Sequence, residues 1–350
     1  MPILYNRFAS SRSSEGLSLL RGLCVAALCL AGVGCQLNPG VEHERYGDEI
    51  LVAGKLIRTG TPVVLWIDSE GYDAYRTNLR FKPYEDAAFE DNVENMSSWA
   101  SPNRYSLRKD RFHADTPDLT PEQIEQVKEG QWELEELQEV VDQFVIHYDV
   151  CGTAQFCFDV LHDHRCLSVH FMLDTDGVIY QTLDVQERAW HAGHANDRSV
   201  GIEIAHIGAY PPGHETLDRW YPADADGKVF KDIPEERGAP KTEGFVPRPS
   251  SQEPITGAIH GTELVQYDYT DEQYEALIKL TAALNAVLPR IELEAPRDAD
   301  GNVRMDALSD DEQSTYSGLI GHYHLTTGKI DPGPAFNWDR VISGARKLRN

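Results

Sequence analysis

The sequence predicts an α/β fold in which a mixed central β-sheet is flanked by helices. Short apolar segments alternate with helical patterns along the chain, and Asp174–Gly177 (DTDG) forms a hairpin signal between two of them. The hairpin adds an antiparallel pair to strands that are otherwise separated by helices. The segments predicted as strands are Thr61–Asp68, Phe144–Tyr148, Leu167–Leu173, Val178–Leu183 and Ser199–Ala205.

Two helices are predicted from capping sequences. Thr120 and Gln123 form a capping pair ahead of a helical pattern that continues to about Val141. Thr270 and Gln273 repeat this arrangement before a longer pattern. Apolar positions at helical spacing give that second helix one buried face: Tyr274, Leu277, Ile278, Thr281, Leu284 and Leu288.

The chain is predicted to have a main domain at residues 121–350 and an extension at 35–120 that packs on it. No catalytic signature is present in the extension. Within the main domain, residues 209–266 are rich in Pro and Gly and show little periodicity, so they are predicted to be a long surface insertion. Loops of this length often cover a functional site. Residues 294–314 are acidic and are predicted as loop.

Composition and charge exclude some classes of protein. The chain has 350 residues, of which 41% are hydrophobic and 25% charged, as in ordinary globular proteins. Its formal net charge is −25 at pH 7. Such an acidic surface repels nucleic acid and anionic lipid headgroups, so no nucleic-acid partner is expected.

Residues 1–34 are predicted to be an export signal. Arg7, Arg12 and Arg21 precede an apolar run at Leu23–Val33, which is too short for a permanent span of ~20 residues. The Gly-Cys pair that ends at Cys35 resembles the end of a bacterial lipoprotein signal. We therefore expect an exported protein of the cell envelope, periplasmic or outer-membrane, or a secreted one. A lipidated Cys35 would attach it to a membrane, and simple cleavage near Cys35 is the alternative.

An exported chain meets an oxidising compartment, which permits disulfides. Cys151 and Cys157 close the shortest loop and are the candidate pair. Cys166 keeps other pairings open, because connectivity cannot be derived from sequence.

Three segments carry groups that can perform chemistry. His147 ends an apolar strand, and Glu203 interrupts another, where alternation places it opposite Ile202 and Ile204. The third segment runs from Gly321 to Pro334 and holds His, Lys and Asp side chains. Two His and one carboxylate with an open fourth position make a catalytic zinc site. A nearby carboxylate can then act as a general base and an ammonium can stabilise an oxyanion.

These segments resemble the amidase type 2 family, which shares the peptidoglycan-recognition-protein fold. The resemblance extends from about Gln143 to Asp339 and rests on several segments in the same order. They are Val145–Asp149, Ser168–Gly177, Glu187–Gly193, Asn196–Glu203, Tyr269–Leu277 and Gly321–Trp338. The family hydrolyses the amide between N-acetylmuramic acid and L-alanine, so the resemblance implies that activity, with peptidoglycan or muropeptides as partner.

The resemblance also implies roles for individual residues. His147, His322 and Asp331 match the ligands of Zn²⁺, Glu203 matches the base, and Lys329 matches the cation that polarises the scissile carbonyl. The stretch between His322 and Asp331 is one residue shorter than in bacterial relatives, which leaves His324 as a rival ligand.

Four further side chains are candidates for substrate binding, each with a structural alternative. His170 could line the cleft or be a buried framework residue. Trp190 and His191 could form a platform for the sugar or the peptide, and Trp190 could instead be core. Asn196 could hydrogen-bond the substrate or form a turn.

Three functions remain open from the sequence. The first is the zinc amidase. The second is a non-catalytic peptidoglycan-binding module of the same fold, which usually lacks a ligand. The third is a zinc amidase that acts on a different amide, with cleft walls shaped by the insertion.

Overall fold

The computed structural model describes residues 45–75, 105–106, 108, 120–128, 133–165 and 167–350. The predicted export signal and Cys35 lie outside these ranges, so export and lipidation remain predictions. Within the described residues, no helix has the length and apolar character needed to cross a membrane.

The strands among the described residues are numbered in chain order. They are β1 (Glu49–Val52), β2 (Lys55–Arg58), β3 (Val63–Leu65), β4 (Tyr105–Ser106), β5 (Gln143–Tyr148), β6 (Phe171–Leu173), β7 (Ile179–Gln181), β8 (Arg188–Ala189), β9 (Ser199–Ile204), β10 (Ile255–Ile259), β11 (Thr262–Gln266) and β12 (Gly318–Gly321).

The α-helices are mostly short. They span Pro121–Lys128, Leu134–Val140, Ala154–Phe158, Glu215–Trp220, Asp271–Val287, Asp310–Thr315, His322–Leu325 and Trp338–Arg349. A π-helical segment, Asp159–His164, continues the third of these, and 3-10 turns lie at Gly193–Asp197 and Glu235–Arg237.

A six-stranded mixed sheet organises the fold, in the order β12-β5-β9-β6-β7-β3. The first four strands run parallel, β7 is antiparallel to β6, and β3 is parallel to β7. Gly177, with φ of +81°, makes the turn between β6 and β7, as the hairpin signal predicted. The predicted mixed α/β class is confirmed. The edge strand β3 comes from the region predicted as an extension.

The two faces of the sheet are covered differently because side chains alternate along each strand. Phe144 and Ile146 of β5 join the main core, where the helices Asp271–Val287 and Trp338–Arg349 pack through residues such as Leu277 and Val341. Each such buried side chain contributes about 1.5–3 kcal/mol. The opposite face receives Val145 and His147. The functional side chains therefore lie on the face away from the two long helices.

The capping predictions are confirmed at both sites. Thr270 Oγ1 accepts a hydrogen bond from Gln273 N at 3.0 Å, and the Gln273 side chain accepts one from Thr270 N. Thr120 and Gln123 form the same reciprocal pair.

Two segments hold structure that the sequence did not predict. The range 209–266 contains the helix Glu215–Trp220 and the antiparallel hairpin β10–β11, whose turn includes His260 and Gly261. In the acidic stretch, Ser309 and Glu312 form a capping box for the helix Asp310–Thr315. Neither helix exceeds two turns, so hydrophobic periodicity could not reveal it.

Candidate metal centre

The sheet register brings His147 and its neighbours together. His147 is paired with Glu203 across the β5–β9 ladder, so both side chains point to the same face. On the other side, Gly321 is paired with Ile146, and the next residue, His322, comes level with His147. Parallel pairing of three strands thus places residues from distant parts of the chain at one edge.

Asp331 lies on the loop after the short helix His322–Leu325 and is held there by neighbouring segments. Its carbonyl accepts a hydrogen bond from Tyr323 N at 3.1 Å. The next carbonyl, of Pro332, accepts from Gln266 Nε2 at 3.0 Å and from the Tyr269 hydroxyl at 2.8 Å. The end of the β10–β11 hairpin therefore fixes the loop that carries Asp331.

Three donor atoms converge on one point. His147 Nδ1 lies 2.9 Å from His322 Nδ1 and 2.9 Å from Asp331 Oδ2, and His322 Nδ1 lies 3.0 Å from the same oxygen. All three side chains are buried. We call His147, His322 and Asp331 the metal triad.

The charge states of His147 and Asp331 suit a cation. Burial and the nearby charge of His322 lower the pKa of His147 to about 4, so its imidazole is neutral. Burial would raise the pKa of Asp331, but the charge of His322 and hydrogen bonds from both imidazoles outweigh it and lower that pKa. A neutral imidazole and an ionised carboxylate are the forms that bind metal ions.

The donor set fits zinc. Zinc binds His nitrogen and carboxylate oxygen at ~2.0–2.2 Å in tetrahedral geometry, and its catalytic sites use three protein ligands. Donor atoms at the corners of such a tetrahedron lie roughly 3.3 Å apart, close to the 2.9–3.0 Å separations of the triad. Zn²⁺ would therefore need only a slight outward movement of the three side chains.

His191 supports the triad from behind. His147 Nε2 lies 2.9 Å from His191 Nδ1, and Ser199 Oγ lies 3.3 Å from His191 Nε2. If His147 uses Nδ1 for a metal, its Nε2–H donates to His191, whose own Nε2–H donates to Ser199. A Cβ at Gly201 would lie 2.5 Å from the His191 ring, so only glycine leaves room for this arrangement. Such partners orient a ligand imidazole.

Glu203 faces the same cleft, a cavity of about 130 Å³ that is also lined by the metal triad, His191 and Lys329. Its Oε2 atom is buried and has no hydrogen-bond partner among the described residues. Burial and the charges of Asp331 and Asp149 raise its pKa well above the usual range. The Lys329 side chain is exposed at the cavity wall.

Two predicted substrate residues instead belong to the framework. His170 Nδ1 accepts from Gly201 N at 3.0 Å, and Nε2 donates to Glu187 O at 2.9 Å. Asn196 Oδ1 accepts from His191 N and Ala192 N, which holds the turn before β9. Neither residue is among the described residues that line the cleft, and these contacts favour the structural alternative for both. Their assignment to substrate binding stays a prediction.

Trp190 is also absent from the described cleft lining. It is half-buried, its backbone bridges to Ser168, and the Arg188 guanidinium lies 5.1 Å from its ring centroid. Of the four predicted substrate residues, only His191 lines the cleft, where it contacts His147.

Both ring nitrogens of His324 are hydrogen-bonded to groups outside the metal triad. Its Nδ1 accepts from Gly321 N at 2.9 Å and its Nε2 donates to Arg304 O at 2.8 Å. Of the two rival histidines, the structure brings His322 to the triad.

Cys151 and Cys157 are free, buried thiols. The disulfide predicted as a candidate between them is not formed, although both residues line the same cleft.

Sequence reasoning missed a buried arginine. Arg108 has no exposed surface and donates to four backbone carbonyls. These belong to Val185, Asn196, Asp197 and Ser199. We call Arg108, His170 and Asn196 the framework cluster. An isolated arginine in a polar segment carries no sequence signal of burial.

The fold and the site together define an α/β protein with a buried His-His-Asp group at the edge of a mixed sheet. Residues 137–334 match the N-acetylmuramoyl-L-alanine amidase family (Amidase_2). Because this match covers more than half of the chain, the protein belongs to that family.

Individual relatives are distant. The chain is 25% identical over 186 residues to 1,6-anhydro-N-acetylmuramyl-L-alanine amidase AmpD of Salmonella typhimurium. The aligned region covers 51% of this chain and 56% of that protein. The chain thus spans about half the length of this relative. Among solved structures, AmiD of E. coli, in complex with anhydro-N-acetylmuramic acid-L-Ala-D-gamma-Glu-L-Lys, is 18% identical over 58% of this chain and 57% of its own, with a TM-score of 0.32. The endolysin LysCS of Clostridium intestinale is 16% identical over 61% and 86%, with a TM-score of 0.31.

Proposed function

We propose that this protein is a zinc-dependent amidase that hydrolyses the amide bond between N-acetylmuramic acid and L-alanine in peptidoglycan or its fragments. Membership of the amidase family supports the reaction. The observation that carries the proposal is the convergence of His147 Nδ1, His322 Nδ1 and Asp331 Oδ2 within 3.0 Å of one another. Neither a structural core nor a simple recognition surface requires three metal-binding atoms to face one another.

The metal triad would hold the ion. Zinc bound there would supply Lewis acidity, which polarises a carbonyl and lowers the pKa of a water to ~7. The remaining chemistry falls to the protein side chains of the cleft.

Glu203 would act as the general base. It lies beside His147 on the neighbouring strand and shares the cavity. A raised pKa makes its carboxylate a stronger proton acceptor. The Glu203 carboxylate accepts a proton from the attacking water as the water oxygen adds to the lactyl carbonyl carbon. Glu203 then returns that proton to the L-alanine nitrogen as the C–N bond breaks.

Lys329 provides positive charge at the cavity wall. Its ammonium stabilises the negative charge that develops on the carbonyl oxygen during attack. The products are a free lactyl carboxylate on the muramic acid and a free amino group on L-alanine.

The test is mass spectrometry of purified sacculi and of soluble muropeptides after incubation with the full chain. We expect stem peptides with new L-alanine amino termini, no release in the presence of a chelator, and recovery when Zn²⁺ is restored. Binding to sacculi without release in the zinc-loaded protein would refute the proposal and identify a non-catalytic recognition module. Hydrolysis only of amides outside the cell wall would refute the substrate.

A further inference from the structure

A second group of metal-binding atoms lies in the same cleft as the metal triad. Asp149 follows β5 directly, Cys151 comes two residues later, and Cys157 lies in the helix Ala154–Phe158. One donor atom from each of these three residues lies within 4.8 Å of the others. We call this group the thiol site.

The backbone of the thiol site is held in place by hydrogen bonds. Asp149 Oδ1 accepts from the amides of Cys151, Gly152 and His206 at 2.9, 3.2 and 3.0 Å. Gly152 has a φ of +91°, which lets the chain turn back so that Cys151 approaches the helix that carries Cys157. The three donors are thus fixed by a local turn that does not depend on any ligand.

The donor atoms themselves remain available. Both thiols are free and at least nine-tenths buried. The second carboxylate oxygen of Asp149, Oδ2, is buried and has no hydrogen-bond partner among the described residues. A buried acceptor without a partner costs about 1–3 kcal/mol, so it requires an explanation. A cation bound between this oxygen and the two sulfurs would supply one.

We propose that Asp149, Cys151 and Cys157 form a second metal site that takes a thiolate-preferring divalent ion such as Zn²⁺. Sulfur ligands select zinc over Mg²⁺ or Ca²⁺. Zn–S bonds of ~2.3 Å place ligand sulfurs roughly 3.8 Å apart, so small side-chain rotations close the site. This inference does not depend on the amidase activity or on the metal triad.

The charges around the thiol site balance such an ion. Two thiolates and one carboxylate carry three negative charges, and Zn²⁺ supplies two positive ones. The buried Lys231 supplies the third, since its ammonium donates to Gly152 O at 3.0 Å and to Ala205 O at 3.1 Å, directly under the turn. Without a metal, the hydrogen bond with Cys151 and burial raise the pKa of Cys157. A thiol that coordinates the ion would release its proton to the solvent, because the bound cation stabilises the thiolate.

The experiment counts metal ions on the reduced full chain. After equilibrium dialysis against Zn²⁺ under a phosphine reductant, elemental analysis should give two zinc ions per wild-type chain. Cys157→Ser and His322→Ala should each retain one, because each removes a ligand from a different site. Cys166→Ser is the matched control, since it removes a thiol that the proposal does not use, and it should retain two.

Cadmium distinguishes the two sites by their ligands. Cd²⁺ should give an ultraviolet thiolate-to-metal absorption band in the wild type and in His322→Ala, and no such band in Cys157→Ser. Asp149→Asn keeps the Oδ1 acceptor of the turn and should weaken Cd²⁺ binding at least tenfold with the fold intact by circular dichroism.

A count of one zinc ion in the reduced wild type, with no thiolate band, would overturn the proposal. That result requires no variant, so it stands even if Cys157→Ser fails to fold. An equal loss of the band in Cys166→Ser would also contradict the assignment. Loss of zinc in His322→Ala alone bears on the amidase mechanism and leaves the thiol site unaffected.

Discussion

The metal triad and the framework cluster use similar residues beside the same sheet in opposite ways. In the metal triad the donor atoms face one another, at 2.9–3.0 Å. In the framework cluster most polar contacts go to backbone groups: Arg108 reaches four carbonyls, and His170 bridges Gly201 N and Glu187 O. One contact joins two side chains, Arg108 Nη2 and His170 Nε2, at 3.1 Å. Burial is almost complete in both.

Burial of a polar residue therefore does not by itself identify a functional site. A side chain whose donors and acceptors are satisfied by the backbone has no capacity left for a ligand. Donor atoms that face one another, by contrast, would repel or compete unless a proton or a cation lies between them. Convergence of donors, rather than the presence of histidine, distinguishes the metal triad.

The largest effect is expected from the metal triad itself. His322→Ala leaves only two protein ligands, so the zinc content and the amidase turnover should both fall. Loss of an ion that contributes several kcal/mol to the transition state corresponds to a decrease of about 10³-fold or more. His324→Ala is the control, and it should keep its zinc while losing stability. Full zinc retention in His322→Ala would show that the metal triad, like the framework cluster, does not bind the ion.

Glu203→Gln should give the next largest effect. The variant keeps the shape of the side chain but cannot accept a proton, so we expect kcat to fall by about 10²- to 10⁴-fold with zinc still bound. Turnover and zinc content are measured on the same preparation. Unchanged turnover would exclude Glu203 as the base.

His191→Ala tests whether the triad depends on support from behind. Loss of the partner of His147 Nε2 should weaken zinc binding by about 10- to 100-fold, measured by competition with a chromogenic chelator. His191→Gln retains a hydrogen-bonding group and should recover part of the affinity. A change in KM for muropeptides with zinc affinity unaltered would instead favour the substrate platform predicted from sequence.

The smallest effect on function is expected in the framework cluster. His170→Leu leaves the Gly201 amide unpaired, so the free energy of unfolding should fall by about 1–3 kcal/mol. The kcat/KM of the folded variant should match that of the wild type. A selective rise in KM without loss of stability would instead indicate that His170 binds the substrate.

The pH dependence of stability also tests the structural role of His170. Burial and the charge of Arg108 lower the pKa of His170 to about 3, below the ~6.5 of an unfolded histidine. The unfolded chain therefore binds the proton more readily between these values, and stability decreases as the pH falls from about 6.5 to 3. Chemical denaturation should show a shallower decrease in His170→Leu, because one such group is absent.

Much of the site could be predicted from the sequence. Alternation placed Glu203 opposite Ile202 and Ile204, and the structure confirms this, since both isoleucines join the core that faces the long helices. Alternation depends only on residues that are neighbours in the chain, so it can be recognised in a single sequence. Arg108 and Gln266 could not be predicted, because their partners lie about 60 to 90 residues away.

The class of fold, the strands that carry His147 and Glu203, and the capped helices follow from local sequence, because strand alternation and capping are short-range properties of the chain. Which polar residues meet depends on how distant segments pack together. The register of β12, β5 and β9 sets His147, His322 and Glu203 on one face, while His170, Asn196 and His324 are bound by backbone partners. That choice depends on long-range pairing, in which a shift of one residue would turn each side chain to the opposite face.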